Sequence, residues 1–342
     1  MFGTSFGHDF GLLLGRYTAK IGLKRCVLLG LLLLAGASFI GCFVDRFSAL
    51  FSLRVIEGFG FLLITLSGPA FIRQLVAVEQ LPAKMGLWSA YMGGGMGIGL
   101  LSTPFLLTIL DWQGVWMCLG LLSFALAIII YKAVPSVQIS TQAIAIFELI
   151  KSTLSHPPAW ILALVFGVYA GQWFSLVGFL PTIYQQYQIS LQTAGVLTAM
   201  VAMANAVGTF VCGLLLQRGL RAQVLMQMGF AVLMLCALSF YILRDVLPFI
   251  VQFLLVIHFS LFGGLVAAVV FAQVLNFAPQ PIAISTTVGL VLQCSAISQF
   301  LLPPVVAAIV SATGTWLWVG ILMAVLSAMG MILTSILFRK VA

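Results

Sequence analysis

Arg54-Val-Ile-Glu-Gly-Phe-Gly60 is the stretch on which the reading of this chain turns. It lies inside an apolar run from Phe47 to Ile72. About 20 apolar residues cross a bilayer, so Arg54 and Glu57 carry opposite charges near mid-depth. They stand about 8 and 11 residues in from the outer end, roughly 12 and 17 Å at 1.5 Å per residue. A charge at that depth costs roughly 3 kcal/mol or more and persists where it faces a partner or a polar cavity. A spacing of three puts both side chains on one helical face, where they partly neutralise each other. The rest of the chain reads as walls around a polar centre that includes this pair.

Composition agrees. Of 342 residues, 63% are hydrophobic and 6% charged, and the mean hydropathy is +1.22. A soluble domain carries about 25% charged residues, so this chain cannot clothe a soluble surface. A transmembrane β-barrel is excluded as well, because its strands alternate and its lumen is polar. The expected class is an all-α, polytopic membrane protein.

The net charge of +8 raises nucleic-acid binding, and the placement of the charges answers it. Arg16, Lys20, Lys24, Arg25, Arg73, Lys84, Lys132, Lys151, Arg218, Arg221, Arg339 and Lys340 fall on or beside alternate connections. Only Arg46 and Arg244 fall on the other set. This is the cytoplasmic bias of Lys and Arg. No basic groove with interleaved aromatics is visible, so no nucleic-acid partner is expected. Cys26, Cys42, Cys118, Cys212, Cys236 and Cys294 all lie in apolar runs without metal or disulfide spacing and read as small buried hydrophobes. The first fifteen residues lack a basic start, and Asp9 interrupts them, so no cleaved leader is expected.

Met1–Gly15 is apolar but covers only about 22 Å of a ~30 Å core, and reads as a partial span. Full spans follow at about Cys26–Val44, Phe47–Ile72, Met85–Leu110, Val115–Tyr131, Ala159–Tyr184, Leu191–Leu216, Val224–Leu243, Leu247–Phe271, Ile284–Ile309 and Thr315–Phe338. That makes about 11 transmembrane helices, with the basic turns cytoplasmic and Met1 outside. The organisation expected is an N-terminal bundle at 1–131, a cytoplasmic linker at 132–158 and a C-terminal bundle at 159–342. In the linker, Ile144, Ile146, Phe147, Leu149, Ile150 and Leu154 predict a short amphipathic helix on the inner surface, ended by Pro157–Pro158.

The two halves echo each other. Gly11-Leu-Leu-Leu-Gly-Arg16 returns as Gly213-Leu-Leu-Leu-Gln-Arg218, each closing a span at a basic turn. Asp45–Arg46, outside the span of Glu57, returns as Arg244–Asp245, outside the span of His258. Internal repeats of this kind place a transporter's site at the midplane.

Three motifs then carry a resemblance. Gly15-Arg-Tyr-Thr-Ala-Lys-Ile-Gly22-Leu-Lys-Arg25 is similar to the helix 2–3 loop of the major facilitator superfamily, although Ala19 stands where that loop has an acidic residue. Arg54-Val-Ile-Glu-Gly58 resembles its helix 4 motif. Leu87-Trp-Ser-Ala-Tyr-Met92 with Gly93–Gly99 and Pro104 resembles its helix 5 motif, with Thr103 replacing the usual Gly before Pro. Taken with the span order, the chain resembles that superfamily, more narrowly its bacterial cyanate-permease-like branch. The resemblance implies twelve helices in two six-helix bundles, of which helix 1 and the outer part of helix 2 are missing here. It also implies alternating access, with gating residues at Lys20, Gly22, Arg25, Gly95, Gly99 and Arg218.

The polar mid-span residues are the candidate substrate contacts. Arg54 would attract an anion, and Glu57 would be its counter-ion and a proton carrier. His258 lies about 11 residues into its span, and imidazole titrates near physiological pH. Gln172, Trp173, Asn205 and Gln293 are at mid-depth too. Such amides also serve as glue between helices, while an aromatic wall with few polar groups suits a small ligand. His8 and Asp9 are weaker candidates, being adjacent and about 100° apart on a helix. His156 in the linker reads as solvated. The Gly93–Gly99 run gives two overlapping Gly-x-x-x-Gly spacings for close helix contact.

No zinc-protease motif or phosphate loop is present. The expectation is a non-enzymatic secondary transporter without cofactor, working as a monomer in the inner (plasma) membrane. Its partners would be lipid, a small solute such as an anion or drug-like compound, and protons. The alternatives are a transport-inactive truncated remnant and an intramembrane lipid-modifying enzyme.

Overall fold

The computed structural model describes residues 22–135 and 146–339. The partial first span with His8 and Asp9 lies outside the described residues, as do Lys20 of the following basic turn and Ile144. Among the described residues, regular structure is helical throughout, and ten stretches are long and apolar enough to cross a membrane. The protein is an all-α, multi-pass membrane protein.

The helices are α1 (Leu23–Gly41), α2 (Phe47–Leu75), α3 (Leu81–Ser89), α4 (Tyr91–Ile109), α5 (Trp112–Ala133), α6 (Ile146–Leu154), α7 (Pro157–Gln185), α8 (Leu191–Gln217), α9 (Ala222–Ile242), α10 (Phe249–Phe277), α11 (Ile284–Thr313) and α12 (Leu317–Arg339). In hydrocarbon every backbone group must be paired within its own segment, which is why continuous apolar runs fold this way. Pro69, Pro104, Pro181, Pro303 and Pro304 sit inside helices, as membrane helices tolerate where neighbours satisfy the freed carbonyls.

Helix ends carry their own signals. Asp111 caps α5 by accepting from the Gly114 amide at 2.7 Å, and Ser190 caps α8 by accepting from Thr193 at 3.2 Å. At the far end of α5, Lys24 Nζ donates to the carbonyls of Tyr131 and Val134, which have no partner within the helix. Gly22, just before α1, has φ +90°, and Gly219, just past α8, has φ +88°. A side chain there would be strained, so these two basic turns require glycine.

Two differences from the sequence expectation stand out. The third span is two helices, α3 and α4, meeting at Ala90 and entered through a 3-10 turn at Val78–Gln80. The amphipathic helix is present as α6, but it ends at Leu154, and Pro157 opens α7. Proline suits a first turn because its missing N–H would be unpaired there in any case.

The described chain groups into two compact units, interleaved in sequence. One comprises the described part of Met1–Val76 with Ser102–His156 and Ala278–Gln293. Within it, α1 and α2 cross at Gly30 and Gly60, where an added Cβ would come within 2.6–2.8 Å of the opposing carbonyl. Leu23, Val27, Leu31, Phe71 and Ala127 form its apolar core. Helix α6 is held to the start of α11 by Leu149, which is buried, and by a buried hydroxyl pair, Thr153–Thr286, at 2.7 Å.

The other unit comprises Ala77–Leu101, Pro157–Phe277 and Cys294–Ala342. It contains α3 because α3 packs on α8 with glycine against glycine. A Cβ on Gly86 would stand 2.6 Å from the Gly213 Cα, and one on Gly213 2.8 Å from the Gly86 Cα. Gly93 and Gly97 continue the contact along α8, at Ala202 and Met203. Gly95 and Gly99 have nothing within 4 Å of a built Cβ. Residues 93 and 97 share one helix face and 95 and 99 the opposite one, so only one of the two small-residue stripes packs on α8.

Candidate functional site

The charged site is assembled by α1, α2 and α5. Arg54 Nη1 donates to Glu57 Oε2 at 2.5 Å across one helical turn of α2. It is the one ion pair recorded among the described residues. Ser38 of α1 donates to the other carboxylate oxygen, Oε1, at 3.2 Å. From α5, the Trp116 ring lies under the Arg54 guanidinium, 4.0 Å from its centroid. The pair is unequal in exposure: the Arg54 side chain is 46% exposed and Glu57 15%. Glu57 is thus held from two sides while Arg54 presents an open edge. A guanidinium has five N–H donors in one plane, and the one acceptor recorded for it is Glu57.

Trp116 reaches this place because α1 makes room. A Cβ on Gly41 would lie 2.0 Å from the Trp116 ring, so no residue other than glycine fits without moving the indole. Trp112 braces the same ring edge-on at 5.7 Å. The sequence reading did not include Ser38, Gly41 or Trp116. Their contacts are long-range, and no spacing within a single span reveals them.

The polar residues of the second unit form a different kind of centre. Asn205 of α8 donates to the Tyr169 hydroxyl of α7 at 2.7 Å and to the Ser260 carbonyl of α10 at 2.9 Å. Trp173 Nε1 donates to Ser260 Oγ at 2.8 Å, and Ser260 Oγ donates to the Val201 carbonyl at 2.6 Å. Gln172 donates to Val168 in its own helix and accepts from Ser327 of α12. Gln172, Trp173 and Asn205 are all buried. The network joins α7, α8, α10 and α12 by uncharged bonds.

The remaining candidates are scattered. His258 is exposed on α10; its Nδ1 pairs with the Leu254 carbonyl at 2.7 Å and its ring stacks near Phe262. Gln293 is half-buried on α11. Arg25 and Arg218 are exposed at helix ends. His156, expected to be solvated, is half-buried.

A further cluster forms one end of the second unit. Arg244, between α9 and α10, donates to Gln186 and to the Tyr187 hydroxyl, and lies 5.5 Å from the Tyr187 ring and 5.9 Å from that of Trp316. Gln252 closes the knot by accepting from Tyr187 and donating to the carbonyls of Arg244 and Leu247. Three connections are thereby tied by one guanidinium.

The cyanate transport protein CynX of Escherichia coli (strain K12) is 25% identical over 203 residues, covering 59% of this chain and 52% of that protein. An uncharacterized transporter of Rickettsia bellii (strain RML369-C) is 24% identical over 253 residues, covering 70% of this chain and 62% of its own length. The chain thus matches little more than half the length of these relatives. Among solved structures, the E. coli fucose:proton symporter FucP superposes with a TM-score of 0.78 at 15% identity, covering 98% of this chain and 89% of that one. The human organic anion transporter MFSD10 superposes with a TM-score of 0.77 at 17% identity, covering 97% and 83%. These likenesses, below 25% identity, establish a shared fold. The family model of the Major Facilitator Superfamily matches residues 10–303, and the chain belongs to that superfamily.

Proposed function

We propose that the chain is a secondary transporter that moves a small anion across the inner (plasma) membrane by alternating access, coupled to protons. Family membership supports transport as the activity. The printed names of the similar proteins speak of cyanate transport, fucose:proton symport and organic anion transport. The observation that carries the reading is the half-exposed Arg54 bonded to Glu57 inside a candidate membrane span. A structural ion pair has no need to leave the cation's edge open; an anion site does.

The coupling follows from competition. The Glu57 carboxylate and a substrate anion are alternative partners for one guanidinium. Protonation of Glu57 removes its charge and frees Arg54, so proton and anion load together. Ser38 from α1 and Trp116 from α5 are the other groups on this pair. The titratable groups at the neighbouring helix ends are Cys42, Asp45, Arg46 and Asp111. Uptake is expected to fall as pH rises, because binding needs the protonated carboxyl. Buried Gln172, Trp173 and Asn205 fasten the helices of the second unit to one another, and the turns marked by Gly22, Arg25 and Arg218 act in gating.

The test is uptake of labelled cyanate and acetate into proteoliposomes under an imposed proton gradient. Wild-type uptake rises with an inward gradient. Arg54→Ala loses uptake, whereas Glu57→Gln keeps downhill exchange and loses its dependence on pH. Wild-type flux in both variants would remove the pair from the mechanism.

A further inference from the structure

The guanidinium of Arg54 is not held by Glu57 alone. Its Cζ lies over the Trp116 ring, 4.0 Å from the centroid, a cation–π contact that guanidinium and indole favour. The ring covers one side of the cation, and Glu57 occupies Nη1. What remains is an in-plane edge of N–H donors bordered by a negative π-face. From this geometry we infer that Trp116 is a specificity-determining residue, and that the site selects flat or linear anions, of the carboxylate class, over tetrahedral ones.

In-plane donors in a rigid fork match an anion whose acceptors lie in one plane. A tetrahedral anion bound to the same edge directs an oxygen out of that plane, toward the ring, whose face carries the negative end of its quadrupole. The ring cannot drift to relieve this, because it fills the slot left by Gly41 and is braced by Trp112. The inference rests on the anion-carrier reading and sharpens it to a class of substrate.

The experiment measures binding, so it separates the two ideas. Purified protein is titrated at fixed pH with acetate, nitrate and perchlorate, all monovalent, two flat and one tetrahedral with oxygen at every corner. The titration is done on wild type and on Glu57→Gln, which leaves Arg54 without its counter-ion. Acetate and nitrate are expected to bind about tenfold more tightly than perchlorate, the scale of one desolvated cation–π contact. In the Glu57→Gln background, Trp116→Leu abolishes that preference and Trp116→Phe, which keeps a flat ring, retains most of it. Gly41→Ala, which displaces the indole with Trp116 still present, behaves like Trp116→Leu. Arg54→Lys keeps the charge and loses the preference. A preference that survives in Trp116→Leu, or equal binding of all three anions by wild type, overturns the platform and leaves the carrier reading standing. If none of the three anions binds wild type or Glu57→Gln, the anion site and the platform fall together.

Discussion

The two polar centres of this protein solve the same problem in opposite ways. Around Asn205, uncharged groups from four helices bond to one another and are shut away from solvent. Around Arg54, two full charges face each other on one helix, and the cation is left almost half exposed. Buried neutral donors cost free energy unless each finds a partner, so the first arrangement is what helix packing demands. The second exceeds what packing demands, since a membrane charge without a use is expensive. The contrast teaches that mid-span polarity is not one signal. Satisfied amides mark where helices are fastened, and an incompletely satisfied charge marks where something else is to bind.

Mutation can break this contrast. The largest effect is expected from Arg54→Ala: flux falls by about thirtyfold or more, the scale of losing one partner of a charge-assisted contact, with the unfolding midpoint little changed. Asn205→Ala is expected to do the reverse. It leaves the Tyr169 hydroxyl and Ser260 carbonyl short of a partner and costs about 1–3 kcal/mol of stability. Flux per folded molecule is retained, measured by denaturant titration and reconstituted uptake. A collapse of flux in Asn205→Ala with stability intact would move the site to the second unit. Trp173→Phe removes one bond while Ser260 still donates to Val201, so the loss is about 1 kcal/mol. The smallest effect is that of Gly95→Ala, which meets open space and changes stability by at most about 1 kcal/mol, toward the folded state. Gly93→Ala, by contrast, drives a methyl to 2.8 Å from the Ala202 carbonyl and lowers the unfolding midpoint.

Most of the fold was legible because a bilayer imposes one rule on length and polarity. The expected spans and α1, α2, α5 and α7–α12 differ by a few residues at their ends. The break at Ala90 was not legible: Met85–Leu110 read as one span with a small-residue tract at Gly93, Gly95, Gly97 and Gly99, and propensity alone does not place a kink in it. Of the site, the pairing of Arg54 with Glu57 could be read from their spacing of three. Ser38 and Trp116 could not, since which helices face each other is decided by packing between distant segments. For the same reason Gln172, Trp173 and Asn205 were recognisable as polar and mid-depth, while their bonding to one another was not.

The meeting of α3 and α8 at Gly86 and Gly213 limits how this protein can diverge. A packed interface usually accommodates a larger residue on one side by accepting a smaller one on the other. Here both sides are already hydrogen, and the obstacle each would strike is main chain. No compensating exchange exists, so any lineage that gains a carbon at either position must part the two helices or lose the variant.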